Sequence, residues 1–269
     1  MKHITSRDNP DYRQLQRALA GRRMPGERAH DAQRVALEGI HLCESWLAHR
    51  GQPLLAFVAE ERLAHPEVAP LLAQVSRERI RVCTAALLKS ISQVVQGQGV
   101  IFLAQAPRPE PPARLRENCL WLDRVQDPGN MGTLLRTAAA AGIRSVYTSG
   151  GCVAAWSPKV LRSAQGAHFV LAIHEGQDLY ALSQRLEIPL LATAWEDAVS
   201  LYEVGLPPAA AWVFGNEGRG VAPQLMDRAA MRLYIPQDAA VESLNVAVAA
   251  GICLFEQRRR WSGGPAINQ

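Results

Sequence analysis

IPQDAAVESLNVAVAAGICLFE, residues Ile235–Glu256, sets a strand end, a polar loop and a small-residue helix in direct succession. Leu233–Ile235 closes an apolar strand, and Pro236 stops its ladder because proline has no N–H to donate. Ser243 and Asn245 stand just ahead of the helical run, where either side-chain oxygen can accept the helix's unpaired first N–H groups. From Val246 to Cys253 the run includes Ala247, Ala249, Ala250 and Gly251, so it carries little bulk and can approach another backbone closely. Tight core packing would account for the helix alone. The loop before it says more, because polar groups between a strand and a helix sit at the strand's carboxyl end, where ligands bind in open α/β sheets.

Working outward, the 269 residues are 48% hydrophobic and 20% charged, the balance of a globular protein with room for one large or two small domains. No apolar run approaches the roughly 18–20 residues a bilayer span needs, and the polar start MKHITSRDNP lacks the apolar segment of a secretion signal. The five cysteines, Cys43, Cys83, Cys119, Cys152 and Cys253, are scattered and odd in number. They point to reduced, buried thiols in a cytoplasmic protein and away from disulfides or zinc. The net charge of +4 is unevenly spread: residues 1–110 carry 15 Lys+Arg against 11 Asp+Glu, and the remainder is balanced. The excess lies in the first 34 residues, among them Arg13, Arg17, Arg22, Arg23, Arg28 and Arg34. A basic segment joined to a neutral half suggests a polyanion-binding module attached to a catalytic one; a solvated helix face is the plainer reading.

Periodicity predicts helices over 11–20 and 32–49, strands at 54–59, 80–83 and 100–104, and helices over 66–75 and 85–95, a small α/β domain with a mostly parallel sheet. Four prolines and no apolar period make Ala106–Glu117 a semi-rigid linker. This divides the chain into residues 1–105, a linker at 106–117, and a second domain at 118–269. There, strands at 119–122, 145–148, 169–173, 189–193, 210–214 and 232–235 alternate with helices, as in a doubly wound parallel sheet.

Two further loops join the first. In LDRVQDPGNMGTLLRTAAAAGI, residues 122–143, Asn130 falls where a helix cap belongs and Arg136 lies within the helix. Arg136 can clamp Asp123 or Asp127, or it can grip a phosphate or hydroxyl with its rigid fork of donors. In WVFGNEGRGV, residues 212–221, the G-x-x-G-x-G spacing is neither a dinucleotide fingerprint nor a P-loop. A glutamate among glycines suits a ligand that is positively charged or rich in hydroxyls and amines.

Together, in this order, the three loops resemble the SpoU/TrmH branch of the SPOUT methyltransferases. The family's N-x-G-x-x-x-R motif matches Asn130, Gly132 and Arg136; its G-N-E-G-x-G motif matches Gly215, Asn216, Glu217, Gly218 and Gly220; its I-P…S-L-N-V motif matches Ile235, Pro236, Ser243, Leu244, Asn245 and Val246. The third motif departs from the family where Gln237 replaces a methionine and Asp238-Ala239-Ala240 lacks the usual glycine. The N-terminal segments are similar to the substrate-binding domain that precedes this fold in ribosomal-RNA 2′-O-methyltransferases.

The resemblance implies a deep trefoil knot and a homodimer whose active sites draw on both subunits. S-adenosylmethionine is then held by Gly215, Asn216, Gly218, Ile235 and Leu244. Methyl transfer to a ribose 2′-hydroxyl is assigned to Arg136, with Asn130, Glu217, Ser243 and Asn245 orienting it and the ribose. Arg136 acts either as base or as phosphate-holding, charge-stabilising group, and Ser243 or Asn245 can equally serve only as a helix cap. Arg13, Arg17, Arg22 and Arg23 are the expected RNA contacts, and ribosomal RNA is the expected substrate. The alternatives are transfer RNA or a non-catalytic ribosome-assembly protein that keeps the knot; the intact motifs favour the enzyme.

Overall fold

The computed structural model describes residues 1–27, 32–92, 94 and 97–261, so Arg28, Val95 and the last eight residues lie outside it. The chain forms two compact units, Met1–Arg108 with Trp156–Phe169, and Pro109–Ala155 with the chain from Val170 onward.

The first unit runs β1 (Lys2–Ile4), α1 (Pro10–Leu19), β2 (Arg34–Glu38), α2 (Ile40–Arg50), β3 (Leu55–Ala59), α3 (Val68–Ala73), β4 (Ile80–Cys83), α4 (Ala85–Lys89) and β5 (Val100–Gln105). The helix expected over 32–49 is a strand followed by a helix. Val35, Ala36 and Leu37 are all buried, and a short apolar run of this kind has no period that separates strand from helix. Gly39 makes the break: its φ of 105 is open to glycine and strained for other residues. The sheet order is β1-β4-β3-β5-β2. It is mixed rather than mostly parallel, because β5 enters between β3 and β2 and runs antiparallel to both.

The second unit contains β6 (Cys119–Leu122), α5 (Pro128–Ala140) and β7 (Ser145–Ser149), is interrupted by α6 (Pro158–Ala164) of the first unit, and resumes with β8 (Ala172–Gln177), α7 (Leu179–Ser183), β9 (Leu190–Thr193), β10 (Val199–Ser200), β11 (Ala211–Phe214), α8 (Pro223–Met226), β12 (Met231–Tyr234) and α9 (Val246–Trp261). Its seven strands, in the order β10-β12-β9-β11-β6-β7-β8, pair in parallel throughout. The strand expected at 169–173 begins later, at Ala172. Phe169 instead turns edge-on to Trp46, with ring centroids 6.0 Å apart, which is why Trp156–Phe169 groups with the first unit and not with the domain that the sequence placed at 118–269. The proline-rich stretch is docked rather than free along much of its length. The Pro109 carbonyl accepts a 3.0 Å hydrogen bond from His174, and Leu115 bridges to Leu186.

The parallel sheet is covered on both faces, so its strands read as unbroken apolar runs. Trp121 and Tyr147 pack with Leu179, Leu182 and Leu225 on one side. On the other, α9 lies beside α5 and is locked by Gln257, which is 5% exposed. Its Oε1 accepts from Trp212 Nε1 at 2.8 Å, and its Nε2 donates to the Pro207 carbonyl at 3.0 Å and to Asn118 Oδ1 at 3.2 Å. The cysteines form no disulfides. Burial pushes the thiols up, to about 11 at Cys83 and about 12 at Cys119 and Cys253, so they stay protonated. Among the described residues, no helix is long and apolar enough to cross a membrane.

Replacing Gln257 by Leu keeps much of the volume but strands the buried Trp212 N–H, and leaving such a donor without a partner costs about 1–3 kcal/mol. The urea midpoint of Gln257→Leu is expected to fall accordingly; an unchanged midpoint would show that this amide does not hold α9.

Candidate active site

The carboxyl ends of β9, β11 and β12 open into a cavity of about 610 Å³. Its walls come from the strand ends at Thr193–Trp195 and Leu233–Ile235, the glycine loop after Phe214, and the loop leading into α9. Gly215, Asn216, Glu217, Gly218, Ile235, Ser243, Leu244 and Asn245, all singled out in the sequence, line this one space. Asn130 and Arg136 do not.

Backbone chemistry shapes the glycine loop. Asn216 and Gly220 exchange hydrogen bonds of 3.0 and 2.8 Å, folding the chain back on itself. A side chain at Gly215 would overlap the Gly220 and Val221 backbone, so only glycine fits there. Asn216 Oδ1 accepts from the N–H groups of Gly218 and Arg219, and its Nδ2 reaches the Arg124 carbonyl at 2.9 Å. Buried Asp123 anchors the far side of the loop, taking the Ala222 N–H at 2.8 Å, the Ser149 hydroxyl at 3.0 Å and the Arg124 guanidinium.

Glu217 joins this loop to the start of α5. Its carboxylate accepts from the Gln126 and Asp127 N–H groups at 3.3 and 3.1 Å and from Asn130 Nδ2 at 3.1 Å. Asn130 Oδ1 in turn accepts from Asn245 Nδ2 at 2.9 Å. The three motifs thus meet in a single chain of hydrogen bonds, Asn245 to Asn130 to Glu217. Burial alone would raise the Glu217 pKa, but the bonds from Asn130 and from backbone N–H groups outweigh it and hold the acid below its ordinary range. It is therefore an anion at neutral pH and an acceptor only.

One capping assignment differs from expectation, and another falls to one of its two candidates. Asp127, not Asn130, caps α5: its side chain accepts the Asn130 N–H at 2.8 Å, which puts Asn130 inside the first turn and frees its amide for Glu217 and Asn245. At α9 the cap is Asn245, whose Oδ1 takes the Ala247 and Val248 N–H groups at 2.9 and 3.3 Å. Arg136 forms no clamp with Asp123 or Asp127, since the first pairs with Arg124 and the second is the cap. It stands exposed on α5. In the first unit, Arg13 is exposed and pairs with Asp8, while Arg17 directs two guanidinium hydrogen bonds, 3.0 and 2.9 Å, at the Arg23 carbonyl. Arg22 is exposed and Arg23 half-buried.

The sequence offers Asp123 only as a clamp for Arg136, not as the anchor of the glycine loop, and it gives no role to Glu242, Trp195 or Tyr234. The last three line the cavity; the available signal was the position of Trp195 and Tyr234 at the carboxyl ends of strands. Among the described residues no cluster of side chains could hold a metal ion.

The model of the SpoU rRNA Methylase family matches residues 117–255. A protein of Synechocystis described as an uncharacterized tRNA/rRNA methyltransferase is 35% identical over 267 residues, 96% of this chain and 93% of its own. The Neisseria meningitidis 23S rRNA (guanosine-2′-O-)-methyltransferase RlmB is 30% identical over 240 residues, covering 82% of this chain and 94% of its own. A crystal structure of an RNA 2′-O ribose methyltransferase superposes with a TM-score of 0.76 at 29% identity, covering 96% of this chain and 98% of that one. The chain belongs to the SpoU rRNA methylase family and is an RNA methyltransferase.

With its pKa lowered in the folded state, Glu217 contributes stability in full above its unfolded value; this is lost as pH falls through the folded value. The stability gap between wild type and Glu217→Gln should therefore be constant near neutral pH and shrink as pH drops below about 4.3. Denaturant unfolding from pH 7 to pH 3 measures it, and a gap that widens in acid would contradict the assignment.

Proposed function

We propose that the protein transfers the methyl group of S-adenosylmethionine to a ribose 2′-hydroxyl of ribosomal RNA. The observation that carries this reading is the single cavity at the carboxyl ends of parallel strands, built from the motif loops and tied by Asn245, Asn130 and Glu217. Relatives named as 23S rRNA guanosine 2′-O-methyltransferases support the choice of ribosomal RNA.

The cavity suits the cofactor in size and in chemistry. About 610 Å³ lies within the usual range for small-molecule sites. Ile235 and Leu244 offer apolar surface to a purine ring, Gly215 permits close approach to backbone, and Asn216 and Gly218 complete the wall. The bound cofactor supplies an electrophilic methyl group on a cationic sulfonium. Glu242 and Glu217 add carboxylates to the same lining, which favours a positively charged ligand. Asn130, Glu217 and Asn245 hold the loops in register, and Ser243 contributes a hydroxyl at the cavity wall.

Arg136 acts on the ribose side. A guanidinium stays protonated, so its role is to hold the neighbouring phosphate and to stabilise negative charge developing on the 2′-oxygen. Its exposure on α5, away from the cavity lining of its own chain, supports a homodimer in which Arg136 serves the cavity of the second copy. Val248 and Phe255, seven residues apart on α9 and 51% and 46% exposed, supply apolar surface for such a pairing. A deep trefoil knot belongs to the same reading. It is supported by β12 lying beside β9, and by α9 packing on α5 directly after the loop that lines the cavity.

The first unit is assigned to RNA docking in the cytoplasm, through Arg13, Arg22 and Arg23. Arg17, spent on the Arg23 carbonyl, shapes the turn that presents them.

Mapping 2′-O-methyl positions in ribosomal RNA from cells with and without the gene tests the function; an unchanged pattern would reject it. Arg136→Ala should lower methyl transfer by about 100-fold or more, the scale of removing one preorganised charge-stabilising donor, while leaving cofactor affinity unchanged by calorimetry. Mixed with Asn245→Ala subunits, it should recover part of the activity, because one cavity in each heterodimer is then intact; no recovery would place Arg136 in its own subunit's site. Neutralising Arg13, Arg22 and Arg23 should flatten the salt dependence of RNA binding by about 0.7–0.9 for each phosphate no longer neutralised. Equal slopes would remove them from docking.

A further inference from the structure

Trp195 is the most exposed large apolar side chain among the described residues, at 56%, yet it lines the cavity. Its position follows from the sheet. The Ala194 N–H donates to the Leu233 carbonyl at 2.9 Å, extending the pairing of β9 with β12 by one residue, so Trp195 and Tyr234 emerge side by side at the carboxyl end of two parallel strands. Their rings are stacked, with centroids 6.1 Å apart and planes 27° from parallel. The strand end is braced from below: Arg232 pairs with Asp197 at 3.6 Å and with Asp227 at 3.5 Å.

An indole left half in water has no packing reason to be there, since an apolar ring of this size ordinarily finds cover. It offers a flat face at the mouth of a site that must accept a nucleotide. Unpaired bases are bound by stacking on aromatic side chains, and a 2′-hydroxyl is best presented when its base is held out of the helix. Asp197 is paired with Arg232, and the exposed carboxylate of Glu196, next in the chain to Trp195, disfavours phosphate at this rim, so the platform faces a base and not the backbone. The deeper wall, with Gly215, Ile235 and Leu244, already provides apolar surface for the cofactor's purine.

We infer that the Trp195–Tyr234 pair is a stacking platform for the base of the nucleotide being methylated. This rests on the assignment of the cavity as the methyl-transfer site. Shared chemistry leaves one competing source for the stacked ring, the adenine of the cofactor, and the measurements separate the two.

Methyl transfer to unmodified large-subunit ribosomal RNA is followed at saturating cofactor, with cofactor affinity measured separately by calorimetry. For Trp195→Ala the KM for RNA should rise by about 5- to 150-fold, the span of one base stack removed. The kcat and the cofactor Kd should stay near wild type. Trp195→Phe should restore most of the loss, and Trp195→Leu should not, because it is apolar without a π-face. Four outcomes overturn the platform while wild type remains active: an unchanged KM for RNA, a fall confined to kcat, equal rescue by Leu and Phe, or a weakened cofactor Kd that accounts for the loss. The last would move the stacked ring to the cofactor. Inactivity of the wild-type enzyme on this RNA would instead overturn the underlying assignment together with the platform.

Discussion

One carboxylate holds the site together. Glu217 accepts two backbone N–H groups from the turn before α5 and the amide of Asn130, which itself accepts the amide of Asn245. Residues as far as 115 apart in sequence converge through these bonds, and each segment would otherwise leave polar groups without partners at the end of a parallel sheet. The lowered pKa of Glu217 follows from the same constraint, since every partner is a donor. An anion that satisfies several donors at once is hard to replace: an amide in its place would bring its own donors to groups that can only donate.

Around this junction the backbone does much of the shaping. Gly215 leaves no room for a side chain against Gly220 and Val221, and the exchange of bonds between Asn216 and Gly220 closes the loop. Asp123 secures it from the sheet side through the Ala222 N–H. The glycine-loop side of the cavity is therefore shaped by main chain, held by polar side chains that are spent on other parts of the protein. That division explains why residues with catalytic-looking side chains, Asn130 and Glu217 among them, work first as architecture.

The terminal helix completes the frame. Its small residues let it lie beside α5, and Gln257 fixes it against Trp212 and Asn118 through a fully used side-chain amide. Asn245 then caps the helix while joining the junction, so one side chain couples the position of α9 to the position of the first motif. Arg136 shares α5 with this arrangement yet stands outside the cavity of its own chain.

By itself the sequence determined the parallel α/β class, the three loops at strand ends and most residues that line the cavity, because unbroken apolar strands, prolines, glycines and caps act locally. It could not separate strand from helix at Val35–Leu37, where the apolar run is too short to show a period and antiparallel pairing with β5 decides. Nor could it show that Asp127 caps α5, since Asp127 and Asn130 are both good caps and only the pull of Glu217 and Asn245 on Asn130 distinguishes them. The grouping of Trp156–Phe169 with the first unit, the use of Arg17 on a carbonyl, and the pairing of Trp195 with Tyr234 were likewise decided by tertiary structure. Each depends on which distant backbone or ring lies within reach, and that is set by how strands order in a sheet rather than by any spacing along the chain.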